Sequence, residues 1–173
     1  VRTRAGAEIT IDGEVVTKVH RPGTSAPALA TRLQAAAALA GIVLAPLDVT
    51  PSPVDGRWLS RWPRVDTVAP DPQHLPWAEA GTLLARLHAA PARSRVAHGW
   101  PARLRRTVER LRVAGGAAAA VRRAAVGLPA QAWRPGSPDR PRTVVHGDFH
   151  LGQLGRRGEG SPWLLIDVDD MGV

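Results

Sequence analysis

Four side chains of this 173-residue chain are of the types that together handle phosphate. Asp148 lies in the run Val144-Val145-His146-Gly147-Asp148-Phe149-His150-Leu151-Gly152-Gln153, just after a short β-rich stretch, and Gln153 brings an amide oxygen a few residues later. Asp167 ends a second apolar run, Leu164-Leu165-Ile166, so two strand ends deliver carboxylates to one place about one β-hairpin apart. Two carboxylates and an amide oxygen form the oxygen-rich set that a hard cation such as Mg²⁺ prefers, with positions left for phosphate. Lys18 is the sole lysine, every other basic Lys or Arg position being arginine, and a compact ammonium on a strand can offset phosphate charge. Phosphoryl transfer needs the nucleophile positioned, the metal held and the phosphate charge offset. Asp148 suits the first task, Gln153 and Asp167 the second, and Lys18 the third. Singly, an Asp after Gly is commonly a turn residue and a strand-end Asp a cap. The order and spacing of all four carry the reading: phosphoryl transfer from a nucleotide.

The elements that must position these residues follow from patterning. Residues 8–11 alternate, Asp12-Gly13 is a two-residue hairpin turn, and 14–20 alternate again, which puts Val16 and Lys18 on one face of a strand. Thr24 or Ser25 caps a helix running to about Ala40 on Leu29, Leu33 and Ala36 or Ala37, closed by Gly41. Residues 42–47 and 57–62 read as two further strands around the turn at 51–56. The Pro-rich stretch 63–72 is a connector, and composition changes across it from strands to helices. The boundary therefore divides a partial N-lobe, 1–63, from a partial C-lobe, 64–173. In the second lobe, Pro76-Trp77 opens a helix to Ala89 with Ala80, Leu83, Leu84 and Leu87 inward. Residues 101–114 form an amphipathic helix on Leu104, Val108 and Leu111, residues 117–126 continue after Gly115-Gly116, and 131–142 is a loop. Trp77, Trp100 and Trp163 read as core residues.

Composition bounds the answer from the other side. The length suits one domain or two small lobes with a real core. The net charge is +8, but the bias toward Ala, Arg, Gly and Pro makes much of it compositional. The dense patch Arg103, Arg105, Arg106, Arg110 and Arg112 reads as a solvated helix face, with nucleic-acid binding as the weaker alternative. Without cysteine, disulfides and thiolate metal sites are excluded. No apolar run approaches a membrane span and no signal-peptide pattern opens the chain, so a cytoplasmic protein with no membrane partner is expected. Val1 and Val173 both look like cut ends.

The segments His-Gly-Asp-Phe-His-Leu-Gly-Gln and Leu-Leu-Ile-Asp-Val-Asp-Asp resemble the catalytic and metal-binding segments of the aminoglycoside phosphotransferase and choline kinase-like superfamily. The His-Leu-Gly-Gln ending is also similar to bacterial maltokinases. The resemblance implies an α+β, protein kinase-like two-lobed fold, truncated at both ends. It implies an ATP-dependent, Mg²⁺-assisted small-molecule kinase acting on a hydroxyl acceptor such as a sugar, an aminoglycoside or an amino alcohol. By position, Asp148 becomes the catalytic base, Gln153 the metal ligand usually supplied by Asn, Asp167 the main metal-binding aspartate, and Lys18 the partner of the α- and β-phosphates. Val16 would line the adenine, and backbone around Ser60–Trp62 would form the hinge that hydrogen-bonds it.

The chain departs from that pattern in several places. No acidic residue lies between Glu14 and Asp48, so the helix Glu that holds the lysine has no counterpart, and Gln34 could only hydrogen-bond Lys18. Only seventeen residues precede Lys18, too few for the phosphate-covering loop and its first strand. As it stands the fragment is expected to be inactive although the parent is a kinase, and a kinase-like binding module or pseudokinase without turnover is the alternative. His146 and His150 also raise a metallohydrolase reading through His-x-Asp-x-His spacing, against which His146 is expected to brace the catalytic loop. Of Asp169 and Asp170, consecutive and pointing apart, Asp170 is the choice for an added metal or acceptor contact.

Overall fold

The computed structural model describes residues 1–3, 6–69, 75–91, 96–111, 115–133 and 142–173. Strands β1 (Glu8–Asp12) and β2 (Val15–Val19) form an antiparallel hairpin in the register Asp12↔Val15. The loop residues are thus Gly13-Glu14, one position later than the Asp12-Gly13 turn expected from the sequence. Gly13 at φ 54° is the first loop residue, the place where a tight hairpin turn of this kind needs a glycine. Strands β3 (Ser52–Val54) and β4 (Arg57–Pro63) form a second hairpin around Asp55-Gly56, whose φ values of 45° and 71° suit the turn that requires two left-handed residues. The four strands make an antiparallel sheet in the order β1-β2-β4-β3, with β2 central.

Helix α1 (Ala26–Ala38) starts at Ser25, whose side chain accepts from the Ala28 N–H, and buries Leu29, Leu33 and Ala36 as the periodicity requires. The segment 42–47, expected as a strand of the same sheet, joins elsewhere. Gly41 turns the chain at φ 87° and Pro46 has no N–H to offer a ladder. Instead Leu44 N–H donates to the Leu165 carbonyl at 2.8 Å, and Leu165 N–H donates to that of Ile42 at 2.9 Å. This stretch therefore ties the first half of the chain to the strand residues Leu164-Leu165.

Beyond Pro63 the expected connector contains a short strand, β5 (Asp66–Thr67). It pairs with β6 (Leu154–Arg156), which pairs with β7 (Leu164–Leu165), giving a second antiparallel sheet. Helix α2 (Trp77–Ala89) buries Ala80, Leu83 and Leu87, while Leu84, one position around the stripe, is half-buried. Helices α3 (Trp100–Arg110), α4 (Gly116–Val126) and α5 (Ala130–Trp133) follow. Leu104 and Val108 of α3 are only half-buried, α5 runs into the stretch expected to be loop, and 112–114 and 134–141 lie outside the described residues. Trp77 and Trp100 overturn their assignment to the core: each is the first residue of its helix, and they are 66 % and 46 % exposed. Trp163 is half-buried beneath the Arg156 guanidinium, 4.7 Å from the ring centroid.

One apolar cluster runs through both halves: Leu29 and Leu33 of α1, Trp62 of β4, Leu83 and Leu87 of α2, and Leu154 and Leu165 of β6 and β7. Truncating the fully buried Leu33 or Leu165 to Ala would cost about 2–5 kcal/mol, so the cluster fixes the two sheets relative to each other. Among the described residues no helix is long and apolar enough to cross a membrane.

Candidate active site

The period-2 alternation of β2 puts Val16, Lys18 and His20 on one face, and their neighbours on β4 are Trp62 and Ser60 in the register Val16↔Trp62 and Lys18↔Ser60. Val16 is half-buried against the core. Lys18 is 8 % exposed, a costly place for an ammonium unless it is paired. Two carboxylates meet it: its Nζ lies 2.8 Å from Asp167 Oδ1 and 2.9 Å from Asp169 Oδ2. Burial works against the ammonium, but Asp169 and Asp167 outweigh it and push its pKa above the usual lysine value. For Asp169, burial favours the neutral acid, yet His20 and Lys18 hold its carboxyl well below the usual carboxylate range. Both shifts favour the ion pair throughout the neutral range. The lysine's contribution is lost only as pH rises through its raised pKa, and the aspartate's only as pH falls through its lowered one.

The backbone explains how two aspartates of one segment reach one ammonium. Asp167 adopts φ 61°, unusual for a residue with a side chain, and its Oδ1 accepts the Asp169 N–H at 3.3 Å. This tight turn sends Val168 into the core at 1 % exposure and leaves Asp167 and Asp169 both facing Lys18. The sequence reading had favoured Asp170 over Asp169 for an added contact. Asp170 instead lies beside Arg103, 3.4 Å from its guanidinium, and its carbonyl accepts the Gly99 N–H at 2.8 Å.

Asp148 follows the bridge between Val145 and Gly172, in a loop whose path depends on Gly147. Gly147 has φ 83°, and a Cβ there would overlap the Asp170 carbonyl, so only glycine fits. The Asp148 carboxylate is about one-third exposed and contacts the guanidinium of Arg103 on α3. Arg103 was expected on a solvated face; it is still 41 % exposed, but it joins Asp148 to Asp170. Of the other patch residues, Arg105 reaches the Trp133 carbonyl, and Arg112 lies outside the described residues.

His146 is buried and its Nε2 donates to the Ile166 carbonyl at 2.8 Å, one residue before Asp167, as expected of a loop brace. A carbonyl can only accept, so the proton sits on Nε2. Burial pushes the His146 pKa down, with the Ile166 carbonyl opposing. Phe149 packs edge-on to that ring, centroids 6.0 Å apart. His150 Nδ1 accepts the Gly152 N–H at 3.1 Å and opens the turn Leu151–Gln153. The two histidines thus serve different backbone groups, and among the described residues no group of three His, Cys, Asp or Glu side chains gathers as a metal cluster.

Gln153 is half-buried, and its carbonyl accepts the Ile166 N–H at 2.9 Å, so pairing of β6 with β7 brings it alongside the residue before Asp167. Its amide oxygen and the partly exposed Asp167 carboxylate supply hard oxygen donors of the kind Mg²⁺ takes. Ser60 and Trp62, expected near adenine, have buried side chains within the sheet. The Ser60 hydroxyl accepts from Trp62 Nε1 at 2.8 Å and lies 2.8 Å from His20 Nε2. The chain leaves β4 only after Pro63, and Arg64-Val65 joins it to β5. Gln34 is exposed on α1, while Arg32 of that helix donates to the carbonyls of Met171 at 2.8 Å and Ala97 at 3.1 Å. His20, Arg32, Arg103 and Asp169 are the site residues that sequence reasoning missed. Only His20 carried a legible signal, two positions after Lys18 on the same strand face.

A four-stranded antiparallel sheet with one helix, joined to helices and a second, three-stranded sheet, defines a kinase-like phosphotransferase fold. The model of the phosphotransferase enzyme family matches residues 8–173, and the chain belongs to that family. Its structure is similar to that of a choline/ethanolamine kinase family protein from Mesorhizobium loti, at 18 % identity and a TM-score of 0.61, over 96 % of this chain and 56 % of that one. It is also similar to macrolide 2′-phosphotransferase type I, at 18 % identity and a TM-score of 0.53, over 97 % of this chain and 66 % of that one. The chain therefore spans little more than half of the first of these proteins and about two-thirds of the second. Among curated proteins none matches it.

Proposed function

We propose that the protein containing this chain transfers the γ-phosphate of ATP to a hydroxyl of a small molecule, with Mg²⁺ assistance. The observation that carries this reading is the convergence of Lys18 from the first sheet on Asp167 and Asp169 from the end of the second, at 2.8 and 2.9 Å. An ammonium and a metal-type carboxylate facing one space suit a nucleotide's phosphate tail.

In this reading, 1–63 is the nucleotide-side lobe and 64–173 the catalytic lobe. Val16 lines the adenine side, and backbone groups around Ser60–Trp62 of β4 form the hinge that hydrogen-bonds adenine. Asp167 and Gln153 would hold the Mg²⁺, which supplies charge compensation for the phosphates. Asp148 accepts or orients the acceptor's hydroxyl proton as the acceptor oxygen bonds to the γ-phosphorus, while the bond from that phosphorus to the β–γ bridging oxygen breaks and ADP leaves. Arg103, beside both Asp148 and Asp170, marks the acceptor side. A cavity of about 260 Å³ bordered by Arg21, Arg32, His98, Asp169 and Asp170 opens next to these groups. A sugar, an aminoglycoside or an amino alcohol are the acceptor classes, and a cytoplasmic location is consistent with ATP use.

The test is ATP turnover by the full-length protein against panels of these acceptors. Asp148→Asn is expected to lower kcat by about 10²–10⁴, the usual worth of a positioned base. Asp167→Ala is expected to abolish Mg²⁺-dependent turnover. Unchanged turnover in both variants refutes the reading, and ATP binding by wild type without any turnover favours a binding module instead.

A further inference from the structure

The lysine that faces the phosphates needs a fixed anionic partner, and α1 has no carboxylate to give it. We propose that Asp169, aimed through a chain of hydrogen-bonding groups from Trp62, Ser60 and His20, is the residue that positions Lys18 for the nucleotide. The inference rests on the phosphotransferase reading for its purpose, but the pairing itself is independent of it.

The chain of contacts spans both sheets. Trp62 Nε1 meets the Ser60 hydroxyl at 2.8 Å, that hydroxyl meets His20 Nε2 at 2.8 Å, His20 Nδ1 lies 3.1 Å from Asp169 Oδ1, and Asp169 Oδ2 lies 2.9 Å from Lys18 Nζ. Proton accounting gives the chain a direction. An indole N–H can only donate, so the Ser60 oxygen accepts from Trp62 and keeps its own proton for His20 Nε2. With Nε2 accepting, the neutral imidazole carries its proton on Nδ1, the nitrogen that faces Asp169. His20, at 1 % exposure, and Ser60, at 2 %, have no water with which to exchange these roles, so the tautomer is set by the sheet. Each Asp169 oxygen then has its own partner: Oδ1 lies beside His20 Nδ1, close but off the line of a hydrogen bond, and Oδ2 faces Lys18. Asp167 is left with a single oxygen on the lysine, which suits a carboxylate that must also serve a metal. The two aspartates thereby divide their work. Asp169 is a positioning residue, acting through Lys18 rather than touching the substrate.

The experiment uses the full-length protein and reads Lys18 directly. Trace acylation with an amine reagent, followed by mass spectrometry of the peptide containing Lys18, gives its labelling rate, and Mg-ATP affinity is measured by calorimetry. Asp169→Asn is expected to raise the labelling rate about tenfold and weaken Mg-ATP binding about tenfold, the loss of one charge-assisted contact. His20→Leu moves both in the same direction, whereas His20→Asn, which restores an N–H near the Nδ1 position, returns both toward wild type. Trp62→Phe, which keeps the ring and removes only the indole N–H, gives a smaller rise and guards against a misfolded Asp169 variant. Lys18 labelling unchanged in cooperatively folded Asp169→Asn overturns the inference, as does a Leu/Asn pair at position 20 that behaves alike. Wild-type protein that fails to bind Mg-ATP would refute the phosphotransferase reading alone, because the labelling rates still decide the pairing.

Discussion

The two ends of the candidate site hold their charges in opposite ways. On the nucleotide side, Lys18 and His20 are almost fully enclosed, and their carboxylate partner comes from a turn anchored by Val168 in the core. On the acceptor side, Asp148 and Arg103 pair at the surface, with 31 % and 41 % of their side chains exposed. Enclosed charges cannot be released singly, so their geometry persists before any ligand arrives; exposed ones exchange freely with water and ligand. In the proposed reading, the difference would put the phosphate-donor half of the reaction on the sheets and leave the acceptor half to helix side chains.

The sharpest way to break this contrast is to remove one charge from each side and compare stability. Asp169→Ala leaves the buried ammonium with Asp167 alone and His20 with no anion. It is expected to cost about 2–3 kcal/mol in urea unfolding, below the ~3–5 kcal/mol of a sealed pair because Asp169 keeps roughly a third of its surface in water. A cost near zero would mean that the nucleotide side is no better fixed than the acceptor side.

A smaller effect lies at the brace between the two. His146 is neutral, buried and bonded to Ile166, with its pKa pushed down by burial. The unfolded chain binds that proton more readily, so the folded state loses stability as pH falls from about 6.5 toward the lowered value and is unaffected above it. Thermal melts of wild type should therefore decline over that acidic window. His146→Gln, which keeps an N–H for the Ile166 carbonyl, should flatten the decline. An identical pH slope in the variant would assign it to other groups.

How much of this could be seen in the chain before its structure follows the same division. The first hairpin, α1 and the inward stripe of α2 were legible because their alternation and helical spacing state which face is buried. Asp148, Gln153, Asp167 and Lys18 were legible as residue types in a characteristic order. The structure joins Lys18 to Asp167, and it puts Gln153 against the residue before Asp167. Asp169 was not legible: two consecutive aspartates offer no periodic signal, and only the left-handed turn at Asp167 brings the first of them, Asp169, to the lysine. Arg103 was hidden for the opposite reason. Within a run of arginines nothing local distinguishes the one that pairs with two aspartates, since its partners lie far along the chain at positions 148 and 170. The segment 42–47 read as a strand because β-branched and apolar residues favour one, but its pairing was decided by Gly41 and Pro46 and by the free edge of Leu165.

The mildest perturbation tests the acceptor side on its own terms. Arg103→Ala removes a partly exposed guanidinium whose partner Asp148 is itself about one-third exposed and can turn to water. Its stability cost is expected to stay below about 1 kcal/mol and to shrink further in 0.5 M salt, as roughly expected when screening replaces a surface ion pair. The measurement is a pair of urea midpoints at low and high salt, set beside those of Asp169→Ala, whose larger loss should hardly change because its partner is shielded from the electrolyte. Should Arg103→Ala prove as costly as Asp169→Ala and equally indifferent to salt, the acceptor side would be as rigidly built as the nucleotide side. Acceptor choice would then have to be sought away from Arg103.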